Sequence, residues 1–197
     1  MMKGSETTLL FYGDSRAADW PAPDLPGIRC RNLGMPGETT AGSLQRFAPA
    51  VAPLGPDLIV LQAGINDLVA LEYAPPERPA LIHRCRRNLA QMVSRSLALG
   101  ATVIVTTIFP PAPAGFEFMG LSRLDDVVPA ILEVNAFLSG LAGERVIIFD
   151  AYALLAEGDR VKPAYALDLL HLNRSGYAAL NQALTPLLAK RLGGRDK

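Results

Sequence analysis

The sequence is poor in the residues that would most quickly assign it a class. Its 197 residues include only two cysteines, two histidines and one tryptophan. Cys30 and Cys85 match no metal or redox spacing and are too few for a disulfide framework, so both are expected to be free thiols. The histidines, His83 and His171, have no carboxylate cluster around them, which argues against a catalytic metal site. Charge of one sign is not in excess either. Nineteen Lys and Arg balance nineteen Asp and Glu, so no positive field exists to hold a phosphate backbone, and nucleic-acid binding is not expected. No apolar run approaches the roughly 20 residues of a membrane span. The run after Lys3, residues 9–12, is too short for the core of a signal peptide. The expectation from these missing signals is a cytoplasmic protein. No repeat and no linker is visible.

What is present is the composition of a folded domain, half hydrophobic and 19% charged. The length suits one compact domain and is tight for two, so residues 1–197 are expected to form a single unit. Short apolar runs at 8–12, 28–33, 57–62, 102–107 and 145–150 read as strands, and the fourth is rich in β-branched residues. Continuous apolar runs of this kind suit parallel strands covered on both faces. Between and after them, residues 41–51, 79–99, 124–141 and 175–192 carry apolar residues at helical spacing. Gly100 closes the second helix, and Asn173 or Arg174 opens the last. The alternation predicts an α/β fold with three layers, α/β/α, around a five-stranded parallel sheet with right-handed crossovers.

Such sheets bind ligands at the carboxyl ends of their strands. Gly13-Asp14-Ser15-Arg16 follows the first strand, and Asn32-Leu33-Gly34-Met35-Pro36-Gly37-Glu38-Thr39 the second. Gly64-Ile65-Asn66-Asp67 follows the third. Asp168-Leu169-Leu170-His171 lies before the last helix. These residues suit acyl transfer. A serine hydroxyl needs a base to take its proton, and the base needs an orienting partner. Ser15 can be the nucleophile, His171 the base and Asp168 its partner, unless a backbone carbonyl orients the ring and Asp168 only caps its loop. The oxyanion needs preorganised donors. The N–H groups of Ser15 and Gly34 and the side-chain amide of Asn66 can supply them, and without a Cβ Gly34 lets its backbone come close to a substrate. Asp14 and Asp67 are read as carboxylates that order their loops. His83, in mid-helix, is read as structural.

These four blocks, in this order, resemble the SGNH hydrolases, also called the GDSL esterase/lipase family. Ser15, Gly34, Asn66 and His171 match the family's four letters, and the resemblance runs from residue 13 to residue 171. It implies a flavodoxin-like fold with a five-stranded parallel sheet. It also implies cleavage of carboxylic esters or thioesters by a serine nucleophile, with a small-molecule ester as partner and without metal or cofactor. Two other functions remain open: an acyltransferase using the same acyl-enzyme, and a flavodoxin-like binding module with a vestigial site. The Gly-x-Ser-x-Gly elbow is absent, since Ala17 replaces its second glycine, and no dinucleotide or P-loop fingerprint follows the first strand.

The sequence departs from the family at Arg16, where the name motif has leucine. A guanidinium there could bind an anionic part of the substrate, or it could point to solvent or pair with Asp14 or Asp19. Residues 73–78 and 110–122 are expected to wall the pocket. Phe109, Phe116, Phe118 and Met119 suggest either an apolar acyl or aryl site or the packing of a long loop on the core. The sequence does not indicate an oligomeric state.

Overall fold

The computed structural model describes residues 6–122 and 124–193, so Lys3 lies outside the described residues. Five strands, β1 (Thr7–Gly13), β2 (Ile28–Gly34), β3 (Leu58–Gln62), β4 (Thr102–Thr106) and β5 (Val146–Phe149), form one parallel sheet in the order β2-β1-β3-β4-β5. Along β1, β3 and β4 the side chains alternate between two apolar layers. Leu10, Tyr12, Ile59, Leu61, Val103 and Val105 face one way. Leu9, Phe11, Leu58, Val60 and Ile104 face the other. Both faces must therefore be covered. Helices α2 (Thr40–Val51), α4 (Arg78–Ala98) and α5 (Val127–Ser139) cover the first through Phe47, Val51, Leu89, Met92, Ile131 and Val134. Trp20 and helix α7 (Arg174–Gly193) cover the second. In α7 the stripe Tyr177, Leu180, Leu184 and Leu188 has helical spacing, and each buried leucine contributes roughly 2 kcal/mol of transfer free energy. This is the three-layer α/β/α arrangement expected from the sequence.

The expected strands fall within a residue of the observed ones, and the long helices lie close to theirs. The short elements were not foreseen: α1 (Ser15–Ala18), α3 (Ile65–Val69), α6 (Ala151–Leu155) and the hairpin of β6 (Ala156–Glu157) with β7 (Arg160–Val161). Asp150, expected to end the fifth strand, instead caps α6 by accepting from the Ala153 N–H. Helix α5 starts three residues later than expected. Leu124 precedes it, buried in the core without being helical. Asn173 caps α7, its Oδ1 accepting from the N–H groups of Ser175 and Gly176. Cys30 and Cys85 are free. Among the described residues no helix is long and apolar enough to cross a membrane.

The topology fixes where a site can form. From β1 the chain pairs to one side with β2 and then crosses over to place β3 on the other side. Loops leaving β1 and β3 diverge there and open a crevice. The register levels the strand ends along it, with Gly13 of β1 opposite Gly34 of β2 and Gln62 of β3.

Candidate active site

The turn after β1 is shaped by close backbone contact. Gly13 has φ +145, and a Cβ there would lie 1.7 Å from the Gln62 carbonyl oxygen. That same carbonyl accepts the Asp14 N–H at 3.1 Å. Asp14 then caps α1, its Oδ1 accepting the Arg16 N–H at 2.9 Å, the loop-ordering role expected of it. The turn leaves Ser15 at the start of α1, lining the crevice and only 8% exposed.

His171 reaches Ser15 from the loop before α7. Its Nε2 lies 3.0 Å from Ser15 Oγ. On the other side of the ring, Nδ1 is 2.9 Å from Asp168 Oδ2 and 3.0 Å from Oδ1. An ionised carboxylate can only accept, so Nδ1 carries the hydrogen and Nε2 is left to accept from the serine hydroxyl. Asp168 Oδ1 also accepts the N–H groups of Leu170 and His171, both at 2.8 Å. Burial alone would raise this carboxyl, but the two N–H groups and the imidazole outweigh it and hold it below its ordinary pKa. The ring of Phe118 packs edge-on against the imidazole, 4.9 Å between centroids. The structure thus brings Ser15, His171 and Asp168 into one hydrogen-bonded line. His83 lies exposed on α4, away from it.

The expected oxyanion donors fare unequally. Asn66, on α3, lines the crevice and donates from Nδ2 to the Glu38 carbonyl at 2.9 Å, which leaves its second amide hydrogen to point elsewhere. Gly34 does not fit the role given to it. Its N–H is committed to the Asn32 side chain at 2.9 Å. It is glycine because a Cβ would lie 2.1 Å from the Ala18 nitrogen, so it seats α1 against β2, and it is not among the residues that line the crevice. The glycine that lines the crevice is Gly37, three residues on, at φ +75. Its loop is anchored by Glu38, whose carboxylate accepts from Arg46 Nε at 2.7 Å and from the Ser43 hydroxyl at 2.6 Å. Arg46 also donates to the Gly13 carbonyl. The sequence signal for Gly37 was present, a second glycine in the same block, but spacing alone does not say which N–H is free.

Arg16 departs from two of its sequence-based readings, solvent and substrate anion, while the Asp14 carboxylate does lie near enough to interact with its charge. Arg16 neither faces solvent nor opens onto the crevice, and it is 0% exposed. Its Nε donates to the Leu170 carbonyl at 3.0 Å and Nη1 to the Phe109 carbonyl at 2.6 Å, with the guanidinium stacked 3.8 Å above the Phe109 ring. Asp67 accepts the Thr40 N–H and hydroxyl at 2.7 and 2.6 Å, ordering the start of α2.

The crevice encloses about 490 Å³ and is lined by Ser15, Asn66, His171 and otherwise mostly by apolar groups, including Val69, Phe118, Leu121 and Leu170. Tyr73 and Met119 stand at its mouth, 74% and 85% exposed. The four aromatic and methionine residues noted in the sequence therefore divide. Phe118 and Met119 line the crevice, while Phe109 and Phe116 pack on the core. Among the described residues no three His, Cys, Asp or Glu side chains are grouped to hold a metal ion.

The model of the GDSL-like lipase/acylhydrolase family matches residues 4–179. A GDSL-like lipase from Bacteroides thetaiotaomicron shares 22% identity, with a TM-score of 0.75 over 94% of this chain and 89% of that one. A lipase/acylhydrolase from Enterococcus faecalis shares 20%, with a TM-score of 0.67 over 94% and 96% of the two chains. A catalytic mutant of an acetylxylan esterase from Geobacillus stearothermophilus shares 22%, with a TM-score of 0.63 over 93% and 94%. At these identities the likeness is one of fold. No curated protein matches the sequence.

Proposed function

The chain belongs to the GDSL-like lipase/acylhydrolase family, and on that premise we propose that it cleaves carboxylic esters or thioesters through an acyl-enzyme on Ser15. The observation that carries this reading is the 3.0 Å contact from Ser15 Oγ to His171 Nε2, with Asp168 across the ring. Ser15 Oγ attacks the acyl carbon while its proton passes to Nε2. Asp168, kept ionised, stabilises the imidazolium that forms. The oxyanion faces the N–H groups of Ser15 and Gly37 and the free amide hydrogen of Asn66, with Gly37 taking the place first given to Gly34. Collapse of the tetrahedral species expels the alcohol or thiol, which takes its proton from His171. Water then attacks the acyl-enzyme, giving a proton to Nε2, and collapse releases the acid and restores Ser15. Apart from the reacting groups, the lining offers mainly apolar contact, which supports an apolar acyl or alcohol portion in the substrate.

The test is hydrolysis of p-nitrophenyl esters from acetate to decanoate. Wild type is expected to turn over, and Ser15→Ala and His171→Ala to lose activity while keeping their circular dichroism spectra. A Ser15→Ala variant as active as wild type would end the mechanism. Asn66→Ala is expected to lower kcat by about 10²-fold, the usual loss for one oxyanion donor. A drop of less than about threefold removes Asn66 from that role.

A further inference from the structure

We propose that Arg16 is a positioning residue that sets the spacing between the nucleophile and its base, an inference that rests on the acyl-enzyme reading of Ser15 and His171. The covalent neighbours of both reacting groups are joined by one hydrogen bond. Arg16 follows Ser15 in the chain, Leu170 precedes His171, and Arg16 Nε donates to the Leu170 carbonyl at 3.0 Å. With the Ser15–His171 contact this closes a small ring across 154 residues of sequence. Other bonds hold the base loop too: Asp168 accepts its N–H groups, and the Ala112 N–H donates to the Leu169 carbonyl at 2.9 Å. Neither of these ties the loop to the turn that carries Ser15.

The guanidinium is itself held on several sides. Nη1 donates to the Phe109 carbonyl just after β4, and the Phe109 ring lies beneath the guanidinium. The Tyr177 hydroxyl donates to the Arg16 carbonyl at 3.1 Å, fixing its backbone from α7. Three segments that converge only in the fold are thereby referenced to one residue, two of them through its planar guanidinium and one through its backbone carbonyl.

Such a residue is costly to bury. A charge taken from water loses its hydration, and well-packed apolar residues often replace buried charges at no loss of stability. Arg16 Nη2 is buried without a hydrogen-bond partner, so the site does not even use the side chain fully. A leucine, as in the family's name motif, could fill the space but could not bond either carbonyl. What the guanidinium adds is direction: a rigid fork with donors at fixed angles. Misplacing a base by about 1 Å costs on the order of 10²-fold in rate, so fixing its reach has kinetic value.

The test compares wild type, Ser15→Ala, Arg16→Met and Arg16→Lys. Its readouts are the rate at which a fluorophosphonate labels the protein and the steady-state kinetics with p-nitrophenyl butyrate. Methionine keeps length and apolar bulk without donors, and lysine keeps charge with a single donating group. The expected result is that Arg16→Met labels at least about tenfold more slowly, with kcat falling in parallel and KM within about twofold of wild type, and Arg16→Lys in between. A folded Arg16→Met that labels and turns over within about threefold of wild type overturns the proposal, whatever its melting temperature. If only the lysine variant keeps the wild-type circular dichroism spectrum, the same threshold applies to it. If neither does, Arg16 holds the whole fold and the positioning role is lost. Equal labelling of Ser15→Ala and wild type would instead overturn the Ser15 reading, and this proposal with it.

Discussion

Gly13 shows how little freedom the turn at Ser15 has. An alanine Cβ would lie 1.7 Å from the Gln62 carbonyl oxygen, at a φ of +145 that L side chains rarely adopt. Strand β3 would have to shift, and the Asp14 N–H would lose its acceptor. Gly13→Ala is expected to cost at least about 3 kcal/mol, read as a lower midpoint in urea unfolding. A midpoint unchanged within error would mean the turn can relax. Arg16, three residues later and opposite in kind, shows why single residues are hard to read from sequence. An arginine next to a tight turn ordinarily lies in solvent. Its burial here depends on carbonyls 93 and 154 residues away in the chain, and no local pattern announces them. Ser15, His171 and Asp168 were legible because each belongs to a compact block whose chemistry is complete in residue type. Gly34 could not be told apart from Gly37, because two glycines in one block are equivalent until the fold commits one N–H to Asn32.

Among the elements, α2 depends most visibly on a residue outside itself. Thr40 begins it, and Asp67, from α3, accepts both the N–H and the hydroxyl of Thr40 while buried. Asn88 of α4 donates to the same hydroxyl at 3.1 Å. Asp67→Ala removes the acceptor and strands two buried donors, so a loss of about 2–3 kcal/mol is expected. Thermal denaturation checks it, and a Tm equal to that of wild type would refute the capping role. The long helices and the five strands were legible because each runs long enough for its apolar period to show. The helices α1, α3 and α6 have four or five residues, barely more than one turn, and no period can be read from so few. Helix α5 was placed too early because Leu124 is apolar and buried, as a helical residue of that face would be, and burial does not distinguish the two.

At the level of the whole molecule, stability should carry the mark of Asp14. Burial pushes its carboxyl up to about 6, with the nearby Arg16 guanidinium only partly opposing the rise. An unfolded aspartate titrates near 4. Between those values the native state holds a proton that the unfolded chain has released, so stability falls as pH rises through about 4 to 6. For this one group the change is on the order of 3 kcal/mol. Asp168 acts with the opposite sign. Its native pKa is lowered, so its contribution is present above the ordinary carboxylate range and is lost as pH falls through the depressed value. Asp14→Asn removes only the first effect. The Tm of wild type minus that of Asp14→Asn is expected to drop as pH rises from 4 to 7. A flat difference would show that Asp14 titrates alike folded and unfolded.

The parallel sheet also gives the molecule a front and a back. All the reacting groups lie on short helices and loops that follow the carboxyl ends of the strands, or on the loop before α7. The turns at 26–27, 55–57, 100–101 and 143–145 lie at the amino ends, the length of β1, about 20 Å, away. A bead, an electrode or a fusion partner attached through the Gly55 or Gly100 turn would therefore hold the molecule by its back and leave the crevice open to the bulk solution. Attachment near Tyr73 or Met119 would obstruct the mouth.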